Sequence, residues 1–173
     1  MLEKLAIYGW QFVVNTIAAS LYCPAGLRYI LLKNIARYDI SKRAIGARCW
    51  FIGQSHLKLG KGSNIGGGSH IELYNDIVIG ENVHMAPNCI LTTATHNIGD
   101  ADCRCGTDKT APIIIEDGCW IGINVTILPG VTIGHGTIIS AGSVVKKNCK
   151  PNSIYAGNPA KLVVAMTDKA PIM

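Results

Sequence analysis

Charged residues are few in this 173-residue chain, 16% of the total, and aromatic residues are fewer still at 6%. Low charge beside 49% apolar residues excludes a disordered chain, which needs the reverse balance. The shortage of rings argues against an ordinary globule, whose centre is filled by large side chains. Here 19 glycines and many Ile and Val stand in their place. That composition suits a thin, regular, repeated layer. No Cys-x-x-Cys pair occurs, and the cysteines number seven, an odd count. A disulfide framework and a zinc knuckle are both disfavoured. Cys103 and Cys105, separated by one residue, are too close for knuckle spacing and receive no role. A reducing, cytoplasmic setting is the simpler expectation. No Arg-rich run and no interleaving of basic and aromatic residues accompanies the net charge of +5, so nucleic acid is not an expected partner. The length suffices for one domain with a real core.

What the chain has is a repeat. From Ile115 an aliphatic residue recurs every six positions, at Ile121, Ile127, Ile133, Ile139 and Val145. The same period gives Ile79, Met85 and Leu91, then Leu59, Ile65 and Ile71, and more weakly Ile45 and Phe51, with phase slips of a couple of residues between blocks. Four positions after most of these stands a small residue, among them Cys49, Ser55, Ser69, Cys89, Thr95, Cys119, Ser143 and Cys149. Four cysteines thereby become inward-facing small residues. A period of six is neither helical nor that of one long strand. It fits a solenoid in which each hexad is a short strand and a corner, three hexads making a triangular turn of about 18 residues. Aliphatic side chains then stack on their equivalents one turn away, at a strand spacing of about 4.8 Å. Gly66, Gly80, Gly122 and Gly134, which follow the aliphatic residue, are expected to relax backbone limits near corners.

The stretch from Ile115 to Val145, with Trp120-Ile-Gly122, Leu128-Pro-Gly130 and Ser140-Ala-Gly-Ser143 within it, resembles the hexapeptide-repeat acyltransferases. Tyr155-Ala-Gly-Asn-Pro-Ala160 resembles their exit from the coil. The resemblance covers roughly residues 45 to 163. It implies an all-β solenoid, specifically a left-handed parallel β-helix. Handedness comes from the resemblance alone, because left-handed crossovers break the usual rule for parallel strands. The domain reading is a helical segment at 1–40, the β-helix at 41–163 with an excursion at 97–112, and a tail at 164–173.

Residues 5 to 27 carry no charged side chain, yet Gln11, Asn15, Thr16, Ser20, Pro24 and Gly26 lower their hydrophobicity. A bilayer span or a secretory leader starting after Lys4 is disfavoured, and Tyr22 before Cys23 reads poorly as a lipoprotein cleavage site. The favoured reading is a helical cap on the open first turn. The second reading lays the segment on an anionic inner-membrane surface, helped by Arg28, Lys33, Arg37, Lys42, Arg43 and Arg48.

The six-residue period fails from Asn97 to Pro112, a polar, turn-rich excursion. His96 stands just before it. Ala86 to His96 resembles the family segment that ends in the catalytic histidine. The resemblance therefore implies His96 as general base for acyl transfer from acetyl-CoA to a hydroxyl, a role that suits imidazole. It implies no metal. On a turn below the histidine, Asn75 and Asp76 are the candidates to hold the acceptor; the bland alternative is a corner turn. Trp120 is expected near the donor arm. Ala141 and Gly142 match the small residues beside the family's donor tunnel, and Lys146, Lys147 and Lys161 are placed to meet CoA phosphates. The family's trimers carry the active site between subunits, so a homotrimer is expected, in the setting of polysaccharide biosynthesis.

Other functions fit the same repeat. Antibiotic O-acetylation uses the same motifs. A γ-type carbonic anhydrase needs three histidine zinc ligands, and Ala101 occupies the place of the second histidine of its paired motif. A non-catalytic trimeric scaffold would need neither His96 nor the basic cluster. The acceptor's identity is not written in the repeat.

Overall fold

Short strands and tight turns alternate along the structure, a computed structural model describing residues 9–42 and 44–166. Lys4, Arg43 and the tail beyond residue 166 lie outside the described residues. The first coil runs through β1 (Trp50–Gly53), β2 (Leu57–Leu59) and β3 (Asn64–Ile65), the second through β4 (His70–Leu73), β5 (Ile77–Ile79) and β6 (His84–Met85). β7 (Ile90–Thr92) opens the third. A side ribbon of β8 (Ala94–Ile98) and β9 (Cys105–Thr110) follows it, and β10 (Ile113–Ile115) and β11 (Trp120–Ile121) complete the coil. β12 (Thr126–Ile127), β13 (Thr132–Ile133) and β14 (Ile138–Ile139) form the fourth. β15 (Val144–Val145) and β16 (Ser153–Ala156) belong to the last, and β17 (Lys161–Ala165) turns back antiparallel on β16.

Every third strand joins the same sheet, as a triangular coil requires. The first face is ordered β1-β4-β7-β12-β15, the second β2-β5-β10-β13, and the third β3-β6-β11-β14-β16 with β17 at its edge. Apart from β16–β17, all pairs on these faces are parallel. The fold is a left-handed parallel β-helix. The hexad residues stack as the period demands: Ile79 pairs with Ile115 and Ile115 with Ile133, while Met85, Ile121 and Ile139 form a second column. All six are at most 1% exposed, so the core is a dry axial stack of aliphatic side chains. The thiols of Cys49, Cys89 and Cys119 also point inward, donating to the carbonyls of Gly66, Gly122 and Gly134 on the next coil.

The glycines of this repeat serve close approach. Gly122 and Gly134 have ordinary negative φ, but a Cβ on Gly122 would lie 2.5 Å from the backbone nitrogen of Ala141, and one on Gly134 2.6 Å from that of Pro151. Their role is to let successive coils touch, which corrects the corner-relaxation expectation.

The phase slips gather at one edge. Phe51 to Leu59 and Ile71 to Ile79 each span eight residues where the repeat has six, and both steps cross from the first face to the second. The extra residues change what points inward there. Leu57, Leu73, Ile77 and Thr93 are fully buried, whereas Ser55 and Asn75 are half-buried and Thr95 is exposed. The inward register expected for Ser55 and Thr95 therefore fails at this edge. The excursion also leaves the coil earlier than its polar composition suggested. It is a β-ribbon that starts at Ala94, with His96 inside its first strand.

The N-terminal segment covers the first coil. A π-helical stretch (Val13–Ala18) is followed by α1 (Ala25–Asn34). Val14, Ala18 and Leu32 join the core, and Asn15 both donates to the carbonyl of Phe51 (2.7 Å) and accepts from its N–H (2.8 Å). Arg28 is 8% exposed and donates to the carbonyls of Ala18, Ser20 and Cys23, where the first helical stretch ends. Those carbonyls lack intrahelical donors, and a buried guanidinium supplies them. The outer face keeps Phe12, Leu21, Tyr22, Leu27 and Ile30 exposed. Among the described residues, no helix is long and apolar enough to cross a membrane.

Candidate active site

The ribbon is rooted by a buried hydroxyl. Thr93 Oγ1 donates to the carbonyl of Glu72 (2.7 Å) and accepts from the N–H groups of Tyr74 and Asn75 (3.0 Å each). Its carbonyl accepts from Ala111 N–H as the ribbon returns. One threonine thus ties the corner after β4 to both feet of the ribbon. Valine has the same shape but would leave the Tyr74 and Asn75 N–H groups without this acceptor, at about 1–3 kcal/mol for each buried one, while the Glu72 carbonyl would keep only the Thr93 N–H.

His96 is held on this base. Across the ribbon it pairs with Asp108, next to a register irregularity between His96 and Ile98. Such bulges re-aim a side chain, and they concentrate beside active sites. Nδ1 lies 3.2 Å from Asp108 Oδ1 and 3.3 Å from the Gly106 carbonyl oxygen. A carboxylate and a carbonyl can only accept, so Nδ1 carries the proton and Nε2 carries the lone pair. Asn97 Nδ2 donates to Thr107 Oγ1 (2.9 Å), bracing the same part of the ribbon. The groove around His96 has a volume of about 390 Å³, with Glu72, Tyr74, Asp108 and Thr110 among its walls.

Asn75 and Asp76 lie beside this groove without lining it. Asn75 donates to Thr110 Oγ1 (3.3 Å), and its Oδ1 accepts from Asp76 N–H. Asp76 Oδ1 accepts from His56 N–H on the coil below. Both therefore serve the corner turn. The residues just before them on the same coil, Glu72 and Tyr74, line the groove instead. Neither stood out in the sequence, although alternation along β4, with Ile71 and Leu73 buried, turns Glu72 outward. Asp108 was missed because the excursion read as irregular, which hid its pairing with His96.

A second groove, about 400 Å³, runs along the outer side of the third face to its corner with the first. Trp120, Gly122, Ile138 and Ala141 help to line it. Trp120 is 53% exposed and stands beside His84 of the preceding coil; His84 is bonded to Asn64 Oδ1 (2.8 Å). Small residues on its floor and an indole at its side suit a thin, mostly apolar chain such as the pantetheine arm of a CoA thioester. Gly142 adjoins Ala141 in a left-handed turn (φ 70°) with open space around it. Ala160 N–H donates to the Val144 carbonyl (2.8 Å), bringing the start of β17 beside β15. Lys161 begins β17, and Lys146 and Lys147 follow β15; all three are exposed. Among the described residues no carboxylate pairs with them. The two grooves share no residue. The ribbon leaves from the edge between first and second faces, whereas the Trp120 groove meets the edge between third and first. Among the described residues of one chain, no three His, Cys, Asp or Glu side chains gather as a metal site would need.

Comparison with known proteins agrees with this architecture. Residues 112–147 match the bacterial transferase hexapeptide family, described as six repeats. Galactoside O-acetyltransferase of Escherichia coli is 32% identical over 131 residues, covering 72% of this chain and 64% of that protein. A hexapeptide-repeat-containing acetyltransferase of Vibrio cholerae, solved with acetyl coenzyme A, superposes with a TM-score of 0.78 at 26% identity, covering 95% of this chain and 87% of the other. A galactoside acetyltransferase solved with coenzyme A gives 0.77 at 27% identity, covering 96% and 82%. Fold, repeat and relatives all liken the chain to the hexapeptide-repeat acyltransferases. It spans between 41% and 64% of the lengths of the first curated relatives it matches.

Proposed function

We propose that this protein transfers an acetyl group from acetyl-CoA to a hydroxyl of a sugar, with His96 as general base. The observation that carries this reading is the clamp on Nδ1. Asp108 and Gly106 fix the tautomer, leaving Nε2 as the basic nitrogen of a histidine that lines a groove. Nε2 takes the proton of the acceptor hydroxyl as its oxygen attacks the thioester carbonyl. When the C–S bond breaks, the imidazolium returns that proton to the leaving thiolate. Asp108 stabilises the positive ring between the two steps, as a carboxylate does in a hydrolase triad. Ala141, Gly122 and Trp120 would hold the donor's arm, and Lys146, Lys147 and Lys161 its phosphates. Relatives named as galactoside acetyltransferases support a saccharide acceptor.

A homotrimer belongs to the same proposal. The base and the donor groove sit toward different edges of one prism, so a complete site needs the base of one subunit beside the groove of the next. The test is thiol release from acetyl-CoA with a sugar panel, followed by mass spectrometry of the product. His96→Ala should keep the fold and lower turnover by about 10²–10⁴-fold. Turnover close to that of the unaltered protein, with an acceptor it acetylates, would reject the base.

A further inference from the structure

The groove around His96 carries charge of one sign. Glu72 and Asp108 line it, and among the described residues of one chain no lysine or arginine does. Lys109 is next to Asp108 in sequence but pairs with Thr95, whereas Asp108 pairs with His96. Thr95 belongs to the groove wall, but Lys109 itself does not line the groove. His70 lies 3.5 Å from Glu72 Oε1 and does not line the groove. Glu72 stands on a rigid support, since its strand is paired on both sides and its carbonyl is held by Thr93. Tyr74, 53% exposed, offers a ring at the same wall.

These groups define an acceptor class. A carboxylate with free lone pairs can accept from two neighbouring hydroxyls of a ring. A half-exposed tyrosine presents an apolar body that suits the C–H face of a pyranose. A phosphate or carboxylate on the acceptor would face Glu72 and the exposed Asp108, and the like charges repel, most at low ionic strength where solvent screening is weakest. We propose that the groove selects uncharged sugars and rejects anionic ones, with Glu72 holding two ring hydroxyls and Tyr74 packing on the ring. The inference rests on the acyl-transfer reading above. It assigns Glu72 and Tyr74 as specificity-determining residues.

The experiment compares methyl galactoside, its 6-phosphate and methyl galacturonoside as acceptors for the full chain at low ionic strength. With acetyl-CoA as donor, kcat/KM for the neutral sugar should exceed that for either anion by about tenfold or more, and added salt should narrow the ratio. Glu72→Gln removes the charge and keeps polar atoms. It should narrow the ratio several-fold, because kcat/KM for the neutral sugar falls with the lost acceptor atom while kcat/KM for the anions rises. Tyr74→Ala should raise KM for the neutral sugar more than it lowers kcat. A role in folding alone would move all three acceptors equally. Equal or better turnover of the anions, or an unchanged ratio in Glu72→Gln, would overturn the inference while leaving acyl transfer intact. Failure of any sugar to release thiol from bound acetyl-CoA would overturn the acyl-transfer reading, and this inference with it.

Discussion

Cys49, Cys119 and Cys149 show what one buried side chain does to stability. Burial in the coil pushes their thiols up to about 11 from 9.0, and Cys89 moves in the same direction for the same reason. The neutral thiol suits the interior and the thiolate does not. In the unfolded chain these groups ionise near 9.0, whereas in the folded coil they keep their protons until about 11. Across that window the unfolded state binds fewer protons, so stability must fall as pH rises from about 9 to about 11. Serine occupies the equivalent inward positions at Ser63, Ser69 and Ser143, so Cys119→Ser and Cys149→Ser should be accommodated. Thermal melts of this double variant should lose less Tm over the alkaline window than those of the unaltered protein. Parallel losses would show that the thiols do not carry the effect.

At the scale of the element, the N-terminal segment is bound to the first coil by its core residues and by the two-way contact of Asn15 with Phe51. Removing residues 1–36 would uncover Phe51 and Ile45 and take away the Asn15 contacts at the edge of β1, while the edges of β2 and β3 stay paired with residues 39–45. Each large side chain so exposed forfeits about 1.5–3 kcal/mol. The truncated chain should therefore aggregate without lipid present, as read by light scattering. The competing reading, a membrane-surface anchor, expects a soluble folded product that has lost only its sedimentation with anionic vesicles. The same experiment separates the two, and an active, well-behaved truncated protein would remove the cap as a structural requirement.

For the whole molecule, the separated grooves have a kinetic signature. On the proposed trimer His96→Ala would disable the base and Ala141→Trp would fill the proposed donor groove; Ala141 is exposed, so the substitution does not disturb the core. Each homotrimer should be inactive. Mixed trimers would contain one interface where an intact base meets an intact groove, and should recover about a third of full activity. No recovery in verified mixed trimers would place both grooves in one subunit's site. A stable, active monomer in sedimentation would remove the trimer itself.

The six-residue period by itself determined the solenoid, the aliphatic columns at Ile115 to Val145 and the inward cysteines. A hexad residue meets mainly its equivalent one coil away, so its environment is written locally and repeats. His96 stood out too, because a family resemblance and an interrupted period converge on it, and the structure sets it in a groove wall beside Asp108. The edge between the first and second faces was decided only by the tertiary structure. There two extra residues per step shift the inward register, bury Thr93 in place of Thr95 and start the ribbon at Ala94. The partners of His96 were settled there as well. Asp108 reaches it through an antiparallel pairing that no periodicity announces, and Glu72 through the stacking of one coil on another. A repeat encodes which residue faces in. Which outward residues from separate coils converge depends on how those coils and the ribbon pack together, a property no single segment carries.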